Sequence, residues 1–280
     1  MKLSKFKGCR GESIAWQCWT QDAPIASVVI SHGLGEHGGR YAPMAERLHR
    51  DGYNVFAIDH RGHGRSSGRR GDIFNFEDCI ANLATLISTV VRPLGCPVIL
   101  FGHSMGGAIA TGYTLKHQGQ FAALMLSGPA LSTELVPGPM KLISKYLAKA
   151  VPFLPVLKID PSLVSRDPEQ VRGYEDDPLN LHGSVPIRTV AELAAAIDPM
   201  PKQFSKITLP LLVMHGAEDQ LIPAEASKVL YDNCTSEDKT LKIYPHLYHE
   251  ILNELPEDRA RVLADISDWV HTRYANAEVS

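Results

Sequence analysis

The sequence lacks any long apolar run and any excess of one charge. No stretch approaches the roughly 20 apolar residues of a membrane-spanning helix, and the segment after Met1 lacks the apolar core of a signal peptide. The 28 basic and 31 acidic residues give a net charge of -3, which excludes the basic signature of a nucleic-acid-binding protein. We therefore expect a cytoplasmic protein with no nucleic-acid partner.

Cysteine is also scarce. The five cysteines are scattered, and their spacing matches neither a metal site nor a disulfide framework. We expect free thiols in a reducing compartment, with no metal and no other cofactor. The 280 residues, 44% of them hydrophobic, are enough for one large core that carries an inserted cap.

Short apolar segments alternate with helical patterns, which predicts an α/β fold with a mostly parallel sheet. Strands are expected at residues 13–20, 26–31, 53–58, 98–101, 122–126, 210–214 and 240–244, and the clearest helix at residues 75–91. Residues 131–206 contain no convincing core strand, and a structureless loop of that length is implausible. The sequence therefore predicts a helical cap at 131–206, inserted into a core formed by residues 1–130 and 207–280.

The most informative segment is the pentapeptide Gly-His-Ser-Met-Gly at residues 102–106. It follows an apolar, strand-like run and precedes a run of small residues, a context typical of the nucleophile elbow of the α/β-hydrolase fold. Glycines fit there because a Cβ on either side of Ser104 would collide with its neighbours. A second match, at residues 64–68, contains Ser66 but follows a polar turn and starts no small-residue helix. We therefore predict that Ser104 is the nucleophile.

A serine nucleophile needs a base and an acid that orients that base. In this fold the acid follows a late strand and the histidine follows the last one. Glu218 and Asp219 both fit the position of the acid, and His246 and His249 both fit that of the base. Position alone leaves both choices open.

The negative oxygen of a tetrahedral intermediate needs two hydrogen-bond donors. One predicted donor is the N–H of Met105, directly after the nucleophile. The other is the N–H of Leu34, in the His-Gly loop that follows the strand at 26–31.

Several segments together resemble the monoacylglycerol lipases: residues 32–37, 59–64, 102–107 and 241–244, with Tyr248 and His249. Residues 165–168 and 174–179 look like cap signatures of that family, so the likeness covers nearly the whole chain. The resemblance implies an α/β-hydrolase that cleaves monoacylglycerols through an acyl-enzyme. It assigns Asp219 as the acid, His249 as the base, and Leu34 and Met105 as the oxyanion donors.

The resemblance also implies that Glu36, Arg40 and Tyr174 contact the glycerol head group. The chain departs from animal members near the acid, where they carry a thiol and this chain has Ile222. A lysophospholipase or a broad carboxylesterase would share the same triad, so both remain alternatives. A non-catalytic binding protein is disfavoured because every catalytic residue type is present.

Residues 139–154 of the cap combine three lysines, each four residues apart, with apolar side chains on the other side of the predicted helix. Such a helix can lie in a lipid interface. Because the expected substrate is a lipid, we expect peripheral contact with membranes or micelles here. The alternative is a cap helix packed on the core with its lysines in water.

Overall fold

The computed structural model describes residues 1–132 and 146–275. Its eight-stranded sheet is parallel except where the first two strands join it. The strands of this sheet are β1 (Lys2–Lys7), β2 (Ser13–Trp19), β3 (Ser27–Ser31), β4 (Asn54–Ile58), β5 (Val98–His103), β6 (Ala123–Ser127), β9 (Leu211–Gly216) and β10 (Lys239–Tyr244). Their order across the sheet is β1-β2-β4-β3-β5-β6-β9-β10.

Helices cover both faces of this sheet. They are α1 (Ala42–Arg50), α2 (Phe76–Leu86), α3 (Met105–His117), α4 (Pro168–Asp176), α5 (Ile187–Ile197), α6 (Glu225–Asn233) and α7 (Pro256–Tyr274). Helices α2, α3 and α6 pack in the core on one face, and α1 and α7 pack on the other. Strands β3 to β6 are buried along their whole length because both faces are covered. The predicted α/β-hydrolase architecture is confirmed.

The expected strands of the main sheet agree with the observed ones to within two residues at each end. Strand β1 was not predicted, because its lysines alternate with few apolar residues and it lies exposed at the sheet edge. The helix expected at 75–91 begins after Asn75, whose side chain accepts a hydrogen bond from the Glu77 N–H at 2.8 Å. It ends as α2 at Leu86 and continues as a π-helical turn over Ile87–Val91.

The described part of the predicted cap is not entirely helical. A short antiparallel pair, β7 (Pro155–Leu157) and β8 (Val185–Pro186), stands apart from the main sheet. These strands are too short to give a sequence signal. Residues 146–150 are helical, whereas 133–145, which include residues 139–145 of the predicted amphipathic segment, lie outside the described residues. The division into a core and a cap at 131–206 stays a prediction.

The described cap is attached to the loops above the sheet. The Thr189 hydroxyl, in α5, donates to the Gly71 carbonyl oxygen at 2.8 Å and accepts from the Ile73 N–H at 3.2 Å. Further along α5 and after it, Ile197 and Phe204 join the core beside α3. Within residues 1–132 and 146–275, no helix is long and apolar enough to cross a membrane.

Helix α3 approaches strand β3 so closely that Gly106 has no room for a side chain. An added Cβ would lie 2.0 Å from the Ser31 carbonyl oxygen, a backbone atom that cannot move aside easily. We therefore expect Gly106→Ala to lower the free energy of unfolding by about 1–3 kcal/mol or more, measured by chemical denaturation. The control is Gly119→Ala, where no atom lies within 4 Å. Equal stability of the two variants would contradict this packing.

Candidate active site

Ser104 lies in the sharp turn between β5 and α3. Its backbone is strained, with φ 51° and ψ -119°, a region that non-glycine residues rarely adopt. A Cβ on Gly102 would lie 2.5 Å from the Gly106 carbonyl oxygen, so the turn requires glycine at both flanking positions. The sharp turn places Ser104 at the carboxyl edge of the sheet.

Ser66, in the second pentapeptide, has a different environment. Its hydroxyl donates to the Asp59 carbonyl oxygen at 2.5 Å and accepts from the Ala15 N–H at 2.8 Å. The side chain is buried between two backbone segments that it joins. This serine has a structural role.

The two candidate acids and the two candidate bases form two separate pairs. Asp219 and His249 are buried, and the His249 Nδ1–H donates to the Asp219 carboxylate at 2.6 Å. Glu218 and His246 pair at 2.8 Å on the surface, where the side chain of His246 is 75% exposed. Only the buried pair borders the cavity that contains Ser104, through His249.

Burial by itself would lower the pKa of His249, but the Asp219 carboxylate beside it outweighs burial and raises that pKa. Glu250 and Glu36 act in the same direction. Burial would likewise raise the pKa of Asp219, yet His249 and a hydrogen bond from His215 hold it well below its usual range. Asp219 is therefore ionised, and His249 is neutral only above a raised pKa.

The predicted oxyanion donors flank the serine. Met105 is the first residue of α3, so its N–H has no acceptor within the helix. Leu34 borders the same cavity, and its N–H donates to no other described group. The Gly33 N–H beside it donates to Glu36 at 2.6 Å, which fixes the loop.

Ser104 and His249 border one cavity of about 190 Å³. Apolar side chains and three polar groups line it, and the polar groups lie together because each of them contacts Arg40. The apolar lining includes Leu157, Ile159, Val164, Leu221 and Ile222, and the polar groups include Glu36, Tyr174 and Glu250. The Ser104 hydroxyl forms no hydrogen bond with another described residue, which agrees with catalytic contacts that tighten when substrate binds.

A buried network of charges stands behind the polar end. Arg40 donates to both Glu250 oxygens, at 2.5 and 2.7 Å, and to Glu36 at 3.1 Å. Burial would raise the pKa of Glu36, but Arg40 holds it at about 2. The guanidinium lies against the Tyr174 ring, and the Tyr174 hydroxyl donates to the Gly35 carbonyl oxygen at 3.2 Å. Arg40 itself does not border the cavity.

Sequence reasoning missed two residues of this site, Glu250 and His215. Glu250 directly follows His249 and joins it to the Arg40 network, but one acidic residue in a loop carries no distinguishing signal. His215 lies inside an apolar strand, where a core position is the ordinary interpretation.

Burial lowers the pKa of His103 to about 4, with His249 adding to the effect, so His103 stays neutral beside His249.

Among the described residues, no group of three or more His, Cys, Asp or Glu side chains is arranged to hold a metal ion.

A family model described as serine aminopeptidase S33, Hydrolase_4, matches residues 22–256. Monoacylglycerol lipase of Mycolicibacterium smegmatis is 40% identical over 268 residues, which are 95% of each chain. The chain belongs to the monoacylglycerol lipase family of α/β-hydrolases. Monoglyceride lipase of Rattus norvegicus is 35% identical over 257 residues, 91% of this chain and 85% of the relative. The family resemblance seen in the sequence is confirmed.

A solved structure agrees with this family membership. The crystal structure of Paleococcus ferrophilus monoacylglycerol lipase is similar with a TM-score of 0.83 and 30% sequence identity. The match covers 92% of this chain and 98% of that one.

Mutation can distinguish the buried Asp219–His249 pair from the exposed Glu218–His246 pair. We expect Asp219→Asn and His249→Ala to lower ester hydrolysis by about 10⁴-fold or more, because the base loses its orientation or is absent. The exposed counterparts, Glu218→Gln and His246→Ala, are the matched controls and should stay close to the wild-type rate. Labelling of Ser104 by a fluorophosphonate, read alongside hydrolysis of a nitrophenyl ester, checks both. A severe loss in either control would show that the wrong pair was chosen.

Proposed function

We propose that this protein is a serine esterase that hydrolyses monoacylglycerols to a fatty acid and glycerol. The observation that carries the proposal is the buried Asp219–His249 hydrogen bond beside the strained Ser104, in a cavity with an apolar part and a polar part. Fatty acyl chains suit the apolar part, and a diol suits fixed polar groups. Relatives named for this activity support the choice of substrate.

In this mechanism His249 takes the proton of the Ser104 hydroxyl as its oxygen attacks the ester carbonyl. The Leu34 and Met105 N–H groups donate to the oxygen that becomes negative. As the tetrahedral intermediate collapses, His249 gives its proton to the departing glycerol oxygen and the acyl-enzyme remains. Water, deprotonated by His249, then attacks the acyl-enzyme and releases the fatty acid. Asp219 holds the imidazole and stabilises its charged form.

We propose that the glycerol end of the substrate is recognised both by direct contacts and by an indirect effect, which involve Glu36, Arg40 and Tyr174. Tyr174 and Glu36 border the cavity, which suits contact with a hydroxyl group. Arg40 lies behind it and holds Glu36 and Glu250, so its effect on substrate runs through those two carboxylates.

The central test compares rates on monooleoylglycerol, dioleoylglycerol, trioleoylglycerol and lysophosphatidylcholine. We expect monooleoylglycerol to be fastest, because a triacylglycerol has no free diol to pair with the buried polar groups. Ser104→Ala should lower every rate by about 10⁴- to 10⁶-fold, whereas Ser66→Ala should keep activity when folded. A higher kcat/KM on lysophosphatidylcholine would favour the lysophospholipase alternative and overturn the proposal.

Tyr174→Phe sharpens this test, because it removes one hydroxyl and keeps the ring against Arg40. We expect it to lower monooleoylglycerol hydrolysis by up to about tenfold, the range of one hydrogen bond, and to change nitrophenyl ester hydrolysis little. Glu36→Gln should lower both rates, since Glu36 also accepts the hydrogen bond of Gly33 in the oxyanion loop. Equal losses for Tyr174→Phe on both substrates would indicate a structural role for its hydroxyl.

We further propose that the described end of the predicted amphipathic segment lies on lipid surfaces. The apolar side chains of Leu147, Val151, Phe153 and Leu154 are each between 38% and 45% exposed. This exposure favours the lipid interface over a cap helix packed on the core. Most of the predicted lysine stripe, Lys141 and Lys145, falls outside the described residues; Lys149 is exposed.

A basic side chain borders this apolar surface. The guanidinium carbon of Arg69 lies 4.3 Å from the centre of the Phe153 ring. Arg69 is exposed, and it forms no ion pair with another described residue. An apolar surface with a cationic border fits a membrane that carries anionic lipid.

Combined Leu147→Ser and Phe153→Ser substitutions, in the inactive Ser104→Ala background, should weaken vesicle binding by about tenfold or more. The matched control is Leu3→Ser with Val229→Ser, which changes apolar residues that are comparably exposed outside the cap. Arg69→Gln should weaken binding to phosphatidylglycerol vesicles and leave phosphatidylcholine binding unchanged. Co-sedimentation measures all of these, and unchanged binding of the Leu147 and Phe153 variant would overturn the membrane proposal.

A further inference from the structure

A second histidine contacts the carboxylate that orients the catalytic base. His215 lies near the end of β9 and its side chain is fully buried. Its Nε2 atom lies 3.0 Å from Asp219 Oδ2, the oxygen that also accepts the hydrogen bond of His249 at 2.6 Å. Two imidazole rings therefore share one carboxylate oxygen.

The surroundings of His215 determine which ring nitrogen carries the hydrogen. Nε2 faces two oxygens that only accept, Asp219 Oδ2 and the Ile222 carbonyl oxygen, each at 3.0 Å. A lone pair there would be repelled by both, so Nε2 bears the hydrogen and donates. On the other side the Ser227 hydroxyl, 2.7 Å from Nδ1, donates to the nitrogen that lacks one. Ser227 is buried and keeps the ring in this orientation.

The other oxygen of the carboxylate is held separately. Asp219 Oδ1 accepts from the Leu221 and Ile222 N–H groups at 2.8 and 2.9 Å. These backbone donors fix one end of the carboxylate, but they leave Oδ2 dependent on side chains. Among the described residues, His215 is the group other than His249 that donates to Oδ2.

We propose that His215 is a positioning residue of the catalytic centre: its Nε2–H holds Asp219 Oδ2 toward His249, and Ser227 keeps the ring in the orientation that allows this. The proposal rests on the serine-esterase function argued above. A hydrogen bond at this oxygen also withdraws charge from it, so His215 moderates the attraction between Asp219 and the imidazolium of His249. Its loss should both loosen the carboxylate and strengthen the remaining bond to the base.

The charged and titratable groups around His249 come from several elements. Asp219 faces it from the loop after β9, Glu250 follows it in its own loop, and Glu36 lies in the loop after β3. His103, at the end of β5, lies with its ring centre 4.7 Å away. A change in the pH profile of kcat/KM is therefore attributed to His215 on two conditions. Asp219, Glu250, Glu36 and His103 must be unchanged in the variant, and a second replacement at position 215 that can donate a hydrogen bond must restore the wild-type profile.

The test compares two replacements of similar size at position 215. His215→Gln can place an amide N–H where Nε2 was, whereas His215→Leu cannot donate. On a nitrophenyl ester we expect His215→Leu to lower kcat by about tenfold with little change in KM, the loss of one charged hydrogen bond. We also expect the acid limb of its kcat/KM profile to move to higher pH. His215→Gln should restore the wild-type limb and a kcat within about threefold.

Ser227→Ala keeps the test decisive if the Leu variant fails to fold. Without the hydroxyl the His215 ring loses the contact that keeps Nε2 aimed at Asp219, so kcat should fall and the acid limb should move in the same direction. Equal kcat and equal profiles for the Gln and Leu variants, or a wild-type profile for Ser227→Ala, would overturn the proposal. Because a nitrophenyl ester is the substrate, a wrong choice of natural substrate would appear as inactivity toward monooleoylglycerol and leave this comparison intact.

Discussion

The site depends on a carboxylate that is fully buried and yet ionised. Burial of an unpaired charge is strongly unfavourable, so Asp219 is stable in that form only because several donors converge on it. Backbone N–H groups of the loop after β9 and two histidines supply those donors. The same convergence fixes the direction in which His249 points. The orientation of His249 is thus a consequence of satisfying one buried charge.

A second buried charge network stands behind the polar groups of the cavity. Glu36 accepts from Gly33, from Arg40 and from the Tyr41 hydroxyl at 2.7 Å, so one carboxylate holds both the oxyanion loop and the polar end. Arg40 connects it to Glu250, the neighbour of the base. The loops after β3 and β10 therefore cannot shift independently. Donors and base keep their spacing through ionic contacts that do not touch the reacting atoms.

The sheet and the elbow could be predicted because their signals are local. A buried strand, the glycines at 102 and 106 and a small-residue helix are adjacent in the sequence and enforce one another sterically. The choice between Asp219 and Glu218 could not be made from position, because neighbouring loop residues point in different directions. The positive φ of His246, 66°, turns the chain so that it pairs with Glu218 in solvent. That resolution needed the family resemblance or the structure.

The two residues that sequence reasoning missed were hidden for different reasons. Glu250 pairs with Arg40, which is 210 residues away along the chain, so no spacing rule detects it. His215 contacts Asp219 only four residues further on, but it lies inside an apolar strand whose pattern predicts an ordinary core position. The short strands β7 and β8 could not be predicted from the sequence, because two or three residues are too few to show a hydrophobic periodicity. Patterns within one helix or strand can be predicted from the sequence. Contacts between loops cannot be predicted in this way.

The edge strand β1 has a consequence for how copies of this protein meet one another. Its backbone leaves one row of N–H and C=O groups outside the sheet, and such rows promote pairing between chains. Lys2, Lys5 and Lys7 are exposed along this edge. Antiparallel pairing of two copies would bring these ammonium groups together, and their repulsion opposes continuation of the sheet from one molecule into the next.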